Sequence, residues 1–546
     1  MPFKKKTNKF ILKESYIKKL PLMTVVFLLL VTVCFACDFG DALIDTSSAD
    51  ARTLLPILAS DTASSSITGL IFNGLVKYDK DINLVGDLAR SWEISSDKRE
   101  ITFHLRENVY WHDGEQFSAE DVKFTYEKLI DPQVRTPYSG DFERINKVEI
   151  VDSFTIKVSY KQPFSPGLSS WGMSIMPKHI LKDHDLNNTE FSRNPIGTGP
   201  YRFKKWITQE KIELVANKDY FEGSPFISRI ITRIIPDSDT LFLELQTKNV
   251  DWMSLTPLQF KKKTNKDFFK NNFNKFRTQA FQYTYLGYNL NDVRFKDKRV
   301  RQALNYAVDK QELINGVLLG FGRVCTGPFI PESWAYNDKV ADVEFNPKKA
   351  KIILKQAGWS DTDSDGIIDK NNEPFEFTLI TNQGNDLRIR SAEIIQRRLA
   401  DIGIKMKIKV IEWSSFLSEF IDKRRFEAVL LGWSLSRDPD NYDIFHSSKT
   451  KEGEFNFVGY NNQKVDKLLE QGRSIFEQSK RSEIYRQIHK IIYDDQPYMF
   501  LYVPDSLSII DKRFQGIIPA AIGIGYNLIK WCVPKENQRY RNFFRQ

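Results

Sequence analysis

The chain has 546 residues, of which 41% are hydrophobic and 13% aromatic, which excludes an intrinsically disordered protein and predicts two or three folded domains. Its net charge of +9 is concentrated at the start, because residues 1–36 hold seven lysines against one acid, and the remainder carries only +3. A body this close to electrical balance excludes a general polyanion-binding surface, so no nucleic-acid partner is expected.

The first segment of the chain has the composition of an export signal. A lysine-rich start precedes an apolar stretch, residues 20–36, that ends in the pair Ala36-Cys37. A small residue followed by cysteine is typical of a lipoprotein, so residues 1–37 form the predicted signal segment and Cys37 is the predicted lipidation site. The alternative is an uncleaved membrane anchor, although about 17 residues is the short limit of a spanning helix. Both interpretations place the body in the cell envelope, on the periplasmic or extracytoplasmic face, tethered to the cytoplasmic membrane.

The stretch 88–129 predicts a strand followed by a capped helix. Apolar and polar side chains alternate in residues 101–105, which indicates a strand with one buried face. Ser118 is followed three residues later by Asp121, close to the capping-box pattern, so a helix is predicted to begin there.

Two further segments predict tight packing. Gly197 and Gly199 stand just before Pro200, and we expect them to permit unusual backbone angles. Within residues 300–308, apolar side chains recur on one face of a predicted helix, which indicates core packing rather than a cofactor site.

An acidic loop at 361–372 has the spacing of a calcium-binding loop. Oxygen-bearing side chains occupy its positions 1, 3, 5 and 9, with Gly366 at position 6, the arrangement that wraps a calcium ion. The predicted ligands are Asp361, Asp363, Asp365, Asp369 and Asn372. Asn372 stands where an EF-hand has glutamate, so the pattern is closer to thrombospondin-type calcium repeats. The alternative is an acidic surface turn without metal, and no cofactor is required by the sequence.

The second half of the chain alternates strands and helices. Strands are predicted at 375–379, 404–410 and 428–433, and a helix at 394–402 is closed by a glycine. The third strand, AVLLGW, is apolar without alternation, as expected where parallel strands are covered on both faces. Strands separated by helices indicate βαβ units, whose ligands lie beyond the carboxyl ends of the strands. The loop 434–442 occupies that position.

Three of these segments together resemble one known family. They read LARSWEISSDKREITFHLRENVYWHDGEQFSAEDVKFTYEKL at 88–129, NPIGTGPYRFKKW at 194–206 and YNLNDVRFKDKRVRQALNYAVDKQELI at 288–314. They are similar to the signature segments of the family 5 extracellular solute-binding proteins, which deliver peptides, nickel complexes and related solutes to ABC importers.

The resemblance implies an α/β, two-lobed periplasmic binding protein fold of class II, with an extra domain inserted in the first lobe. Lobe I is then expected at 38–290, with the extra domain near 88–190. Lobe II is expected at 291–502, and a C-terminal segment at 503–546 completes lobe I. The family further implies that the solute is captured between lobes that close around it.

The resemblance also directs attention to the loop after Gly432-Trp433. In peptide-binding members, an acid shortly after this pair holds the amino terminus of the peptide, and here Ser436 stands at that place. Arg437 beside it either meets a carboxylate of the solute or points to solvent. The predicted ligand-binding residues are Trp433, Ser436, Arg437, Asp438, Asp440 and Asn441.

Enzymatic activity is not expected. The sequence contains no G-x-S-x-G, G-x-x-x-x-G-K-[ST] or H-E-x-x-H motif, and its six histidines are scattered. Its four cysteines are too few for a disulfide scaffold, and Cys325 and Cys532 either pair or are buried thiols.

The leading function is therefore capture of a peptide or peptide-like solute by a monomeric, membrane-tethered receptor that serves an ABC permease and its ATPase. The alternative solute is a metal chelate, an opine-like compound or a sugar. A chaperone or hydrolase on the same fold would need catalytic residues in the cleft, and the sequence offers none.

Overall fold

The structure, a computed structural model, describes residues 39–540. The predicted signal segment and the lipidation site Cys37 lie outside the described residues. Within the described part of the chain, every helix is too short or too polar to cross a membrane.

The described residues, 39–540, form twenty β-strands, with helices between them. In chain order, β1 to β20 are Gly40–Ser47, Val76–Tyr78, Leu84–Gly86, Ala89–Ile94, Glu100–Leu105, Ile145–Asp152, Thr155–Tyr160, Tyr201–Ile207, Lys211–Ala216, Ile227–Ile234, Trp252–Ser254, Phe273–Gln279, Gln282–Tyr288, Gly322–Val324, Asp369–Lys370, Glu373–Pro374, Glu376–Asn382, Lys405–Ile411, Ala428–Ser434 and Tyr498–Asp511. The α-helices are Thr62–Ile71, Ala119–Leu129, Ser139–Phe142, Gly167–Ser170, Lys178–Leu181, Ser238–Gln246, Pro257–Lys261, Asp267–Asn272, Val293–Lys296, Lys298–Ala307, Lys310–Gly316, Pro347–Gln356, Asp386–Ala400, Trp413–Ser415, Tyr442–Phe445, Gln463–Ser474 and Gln478–Asp495. A π-helical turn, Phe416–Ile421, follows the helix that ends at Ser415.

The first lobe contains two four-stranded sheets. One has the order β1-β10-β9-β8, with β1 parallel to β10, and the other is antiparallel with the order β4-β5-β7-β6. In β5 the predicted alternation is confirmed, since Ile101, Phe103 and Leu105 are buried. The helix Ala119–Leu129 begins as predicted, and Ser118 closes a capping box with Asp121.

The two glycines before Pro200 serve close packing, and the expectation of unusual backbone angles is wrong. Neither glycine has a left-handed φ. A Cβ on Gly197 would lie 1.9 Å from the carbonyl oxygen of Ile71, and one on Gly199 would lie 2.5 Å from the carbonyl carbon of Ile71. Backbone packed this closely excludes any side chain. Glycine is therefore needed here because the segment is pressed against the end of the helix Thr62–Ile71.

The second lobe is built on a mixed sheet that the sequence predicted in part. Its order is β20-β13-β19-β17-β18, and β17 is parallel to both β18 and β19; β20 then continues beyond this sheet and pairs with β11. The helix Asp386–Ala400 connects β17 to β18, so this predicted βαβ unit is confirmed. The antiparallel neighbours β13 and β20 were not predicted, because their partners are remote in sequence and short apolar runs carry no signal of strand direction.

Strand β19 is covered on both faces, as its unbroken apolar sequence predicted. Ala428 and Leu430 pack into a core formed with the helices Lys298–Ala307 and Asp386–Ala400. Val429 and Leu431 pack on the opposite face, into a core that includes residues of the helix Gln478–Asp495. The same strand therefore anchors both layers of the second lobe.

Two strand connections link the lobes. The first half of β20 pairs with β13 and β14, whereas its second half pairs with β11 and β12. Because β12 and β13 follow one another directly along β20, the chain passes between the lobes near residues 280–281 and again near 503–505. The precise domain boundaries remain predictions.

A buried ion cluster fastens the chain beyond β20 to the first lobe. The Nε atom of Arg513 lies 3.0 Å from a carboxylate oxygen of Asp41, and its Nη1 contacts Asp251. Asp41 and Asp251 have no exposed surface. Trp531 and Val533 then enter the main core of the first lobe, so the C-terminal segment returns to the lobe in which the described chain begins.

Candidate ligand-binding cleft

A cavity of about 1070 Å³ lies between the two lobes. The first lobe contributes the end of β1, the helix Thr62–Ile71 and segments near residues 138–142 and 166–174. The second lobe contributes residues 382–388, 413–422, 431–444 and 453–457. The carboxyl ends of the parallel strands β17 and β19 open onto this cavity, which is where ligands bind in open α/β sheets.

Trp433 lies on the wall of the cavity at the end of β19. Its Nε1 donates a hydrogen bond of 3.3 Å to the hydroxyl oxygen of Tyr498. The indole packs edge-on against Phe455, with ring centroids 5.2 Å apart, and stacks parallel to Tyr285 at 6.4 Å. These contacts fix the ring, so Trp433 offers a rigid, half-buried apolar surface to a ligand.

The loop after Trp433 reaches the cavity, but arginines already neutralise its acids. Asp438 receives two hydrogen bonds from Arg481, at 2.9 and 3.0 Å, and Asp440 receives one from Arg473 at 2.7 Å. Both arginines are almost completely buried. Asp438 and Asp440 therefore shape the wall, and neither carboxylate is free for a ligand.

The two other predicted residues on this wall differ in exposure. Ser436 is exposed and lines the cavity. Asn441 also lines it but is 6% exposed, and its side-chain amide donates to the carbonyl oxygen of Pro328 at 3.1 Å. Ser436 can therefore contact a ligand directly, whereas Asn441 mainly holds the loop in place.

Arg437, for which a solute carboxylate or solvent was the predicted partner, packs against an aromatic ring. It is absent from the cavity wall, and its guanidinium lies 3.3 Å from the ring centroid of Phe281. Burial lowers the pKa of Arg437. Leu435, Ser436 and Asp438 line the cavity, whereas Arg437 does not. The contact with a ligand carboxylate stays a prediction, and the position of Arg437 off the cavity wall does not support it.

A different arginine, Arg388, occupies the cavity wall. Its Nη1 donates to the side-chain oxygen of Asn382 at 2.7 Å, and its Nε is shut off from solvent without an acceptor. Within residues 39–540 no acid forms an ion pair with it, and burial lowers its pKa. Sequence reasoning missed this residue, although its position just after β17, at the carboxyl edge of the sheet, was a usable signal.

Polar contacts join the lobes around the cavity. Arg473 of the second lobe contacts Asp141 of the first, and it also donates to the carbonyl oxygen of Gly140 at 3.3 Å. Arg52 pairs with Asp422 at 2.7 Å on another side. The structure therefore shows the two lobes in contact, with the cavity between them.

The acidic loop brings together three of its five predicted calcium ligands. Carboxylate oxygens of Asp361, Asp363 and Asp369 all lie within 4.8 Å of one another. Asp365 instead accepts a hydrogen bond from the backbone nitrogen of Ile367, at 2.7 Å. Asn372 sits in the turn between β15 and β16 with a φ of 62°. The three grouped carboxylates fit the oxygen ligands that calcium prefers.

Cys325 and His112 both have structural positions away from the cavity wall. Cys325 is a buried free thiol, which excludes its pairing with Cys532. His112 lies between the backbone nitrogen of Gly197 at 3.2 Å and the carbonyl oxygen of Gly199 at 3.0 Å. Burial lowers the pKa of His112 to about 4, so it is neutral and holds the glycine segment in place.

Comparisons with known proteins agree on one family. Residues 83–456 match the family described as bacterial extracellular solute-binding proteins, family 5 Middle. The oligopeptide-binding protein AppA of Bacillus subtilis is 36% identical over 490 residues, which cover 88% of this chain and 89% of that protein. The structure of AppA from Bacillus subtilis in complex with a nonapeptide has a TM-score of 0.87 and 34% identity, covering 91% of this chain and 100% of that one.

Two further structures have similar scores. The binding protein DppA of Helicobacter pylori, in complex with the peptide STSA, has a TM-score of 0.82 and 29% identity, covering 91% of this chain and 99% of that one. NikZ of Campylobacter jejuni, in complex with Ni(L-His), has a TM-score of 0.81 and 30% identity over the same shares of the two chains.

Calcium is expected to stabilise the protein through the acidic loop. A ligand that binds only the folded state adds about 2.7 kcal/mol at one hundred times its Kd, so calcium should raise the melting temperature and a chelator should lower it. The double variant Asp361→Ala with Asp363→Ala should lose this response, whereas Asp183→Ala, at an acid 84% exposed elsewhere, should keep it. A melting temperature indifferent to calcium and chelator would make the loop a plain surface turn.

Proposed function

Because the chain belongs to the family 5 extracellular solute-binding proteins, we propose that it captures a peptide or peptide-like solute between its lobes and delivers it to an ABC importer. The family consists of binding proteins rather than enzymes, in agreement with the expectation of no catalysis. The observation that carries the proposal is the cavity between the lobes, with an aromatic wall at the carboxyl edge of the sheet. Its volume of about 1070 Å³ lies just above the range of ordinary ligand pockets, roughly 300–1,000 Å³, which suits an extended peptide.

Solute binding is coupled to closure of the lobes. A solute shifts an equilibrium between open and closed forms only if it makes more favourable contacts with one of them. Residues of both lobes line the cavity, so a solute contacts both walls only when the lobes are closed. The permease can then recognise the closed, loaded form.

We further propose that Arg388 binds a carboxylate of the solute. Its guanidinium lines the cavity, has no acidic partner in the described part of the chain, and retains a buried Nε without an acceptor. An arginine presents several donors in a fixed fork that matches a carboxylate. The carboxyl terminus of a peptide, or an acidic side chain, would supply the missing charge.

The receptor is proposed to act as a monomer held at the cytoplasmic membrane by lipid on Cys37. The support is the sequence alone, namely a basic and apolar segment followed by a small residue and cysteine. A tether of this kind would keep the receptor close to its permease. Mass spectrometry of solute that co-purifies with the native protein is the direct test of the binding function.

Trp433 should contribute directly to affinity. Trp433→Ala removes an aromatic wall of the cavity, and we expect affinity for a co-purified peptide to fall by about 2 kcal/mol or more, the range of an interface hot spot. Trp433→Phe keeps an aromatic surface and should lose less. Calorimetric titration measures both, alongside melting curves that check the fold. Normal binding by Trp433→Ala, or loss only through unfolding, would contradict the assignment.

Arg388 should discriminate between a free and a blocked carboxylate. Arg388→Gln is expected to weaken binding of a co-purified peptide by about 1.5–3 kcal/mol, the strength of a hydrogen bond to a charged group. If the peptide carboxyl terminus is the partner, amidating it should cost the wild type a similar amount and the variant almost nothing. Arg437→Gln is the matched control, because that arginine is off the cavity wall. Equal affinities of wild type and Arg388→Gln would remove Arg388 from the site.

Lipid on Cys37 is checked by intact mass. The mature wild-type protein should begin at Cys37 and carry the mass of acyl chains, whereas Cys37→Ser should lack both the acyl mass and the cleavage. A wild-type protein with an unmodified Cys37 would favour an ordinary signal or an uncleaved anchor.

A further inference from the structure

Most acids that line the cavity pair with a cation or accept a side-chain hydrogen bond within the fold. Asp438 and Asp440 are held by buried arginines, and Asp422 pairs with Arg52. Burial and the neighbouring Asp141 raise the pKa of Asp443, and the nearby charges of Arg473 and Lys449 act against this. Asp45 lines the same cavity, and within residues 39–540 it has neither an ion pair nor a side-chain hydrogen bond.

Asp45 lies on β1 in the first lobe, opposite Thr232 of β10. Within residues 39–540 no lysine, arginine or histidine forms an ion pair with it, and its carboxylate interacts only with the neighbouring backbone of Thr46. Burial raises the pKa of Asp45 to about 7, since no positive charge compensates for the loss of water. A carboxylate that is ionised without a compensating positive charge lowers the free energy of unfolding of the ligand-free protein.

Asp45 faces a cavity wall that the second lobe completes. The end of β1 touches the segment before the helix Asp386–Ala400, because a Cβ on Gly384 would lie 2.8 Å from the carbonyl oxygen of Ser48. Ser238 of the first lobe contacts Asp386 at the same place. The second lobe therefore contacts the first near the end of the strand that carries Asp45.

We propose that Asp45 is a cation subsite of the cleft, which binds a protonated nitrogen of the solute. The inference rests on the proposed function and deepens it, since it names a charged group that the solute must carry. The nitrogen can be the amino terminus of a peptide or the side chain of a lysine. With the amine-holding acid replaced by Ser436 on the second lobe, the first lobe supplies the negative charge instead.

The test uses a proteolytic digest of casein, half of it acetylated on all amines. Full-length wild-type protein is immobilised, and retained peptides are quantified by mass spectrometry. Wild type should retain peptides from the untreated half about tenfold or more better than their acetylated forms, because acetylation removes the charge that pairs with Asp45. Asp45→Asn should retain the untreated peptides about tenfold less well and should not distinguish the two halves. Asp183→Asn is the charge-matched control, at an acid outside the cavity lining.

Retained peptides are then synthesised with only the amino terminus or only the lysines acetylated, which separates the two sources of the nitrogen. A second readout does not require a peptide: in ligand-free protein at about pH 8, Asp45→Asn should raise the melting temperature, because it removes an uncompensated buried charge. Equal retention by Asp45→Asn and wild type, or a wild type indifferent to acetylation, would overturn the subsite. Retention of neither half by wild type would refute peptide binding itself, and a lowered melting temperature of Asp45→Asn would make Asp45 structural.

Discussion

Strand β20 belongs to both lobes, and the arrangement of the rest of the molecule depends on it. Its first half lies in the second-lobe sheet, and its second half pairs with strands of the first lobe. Because the first half of the strand packs only in the cores of the second lobe and its second half only in those of the first, the lobes can move about the connection without opening a core. Just beyond it, Arg513 is buried with Asp41 and Asp251, and breaking such a cluster costs about 3–5 kcal/mol. The first-lobe end of the connection is therefore firmly fixed.

The contacts that join the lobes explain why closure responds to a solute. Arg473 is 1% exposed and bonds both Asp440 of its own lobe and Asp141 of the other. Buried ion pairs of this kind contribute little net stability, because the loss of water around each charge offsets their attraction. Closed and open lobes can then have similar free energies. The contacts of a solute with both walls decide between them.

Charges that the fold leaves uncompensated mark the places where a solute has most to contribute. Arg388 on the second lobe and Asp45 on the first both line the cavity, and neither has an ion-pair partner in residues 39–540. Each destabilises the empty protein, which is the usual relation between stability and function at a binding site. A solute with complementary charges removes both penalties at once. Specificity would then follow from the protein's own electrostatics as much as from shape.

The sequence by itself determined the local elements and the position of the cleft. Alternation in residues 101–105, the cap at Ser118 and the unbroken apolar run of β19 each depend on neighbours a few residues away, and all three are confirmed. Which side chains face the cavity was decided only by tertiary structure. Arg437 and Arg388 both lie near strand ends. After remote strands pair, Arg437 packs on Phe281, whereas Arg388 lines the cleft. Likewise, the sequence offered Asp438 and Asp440 as ligand-binding acids. In the structure they pair with Arg481 and Arg473, which lie more than thirty residues later in the chain. Charge compensation depends on distance in space, which sequence separation does not reveal.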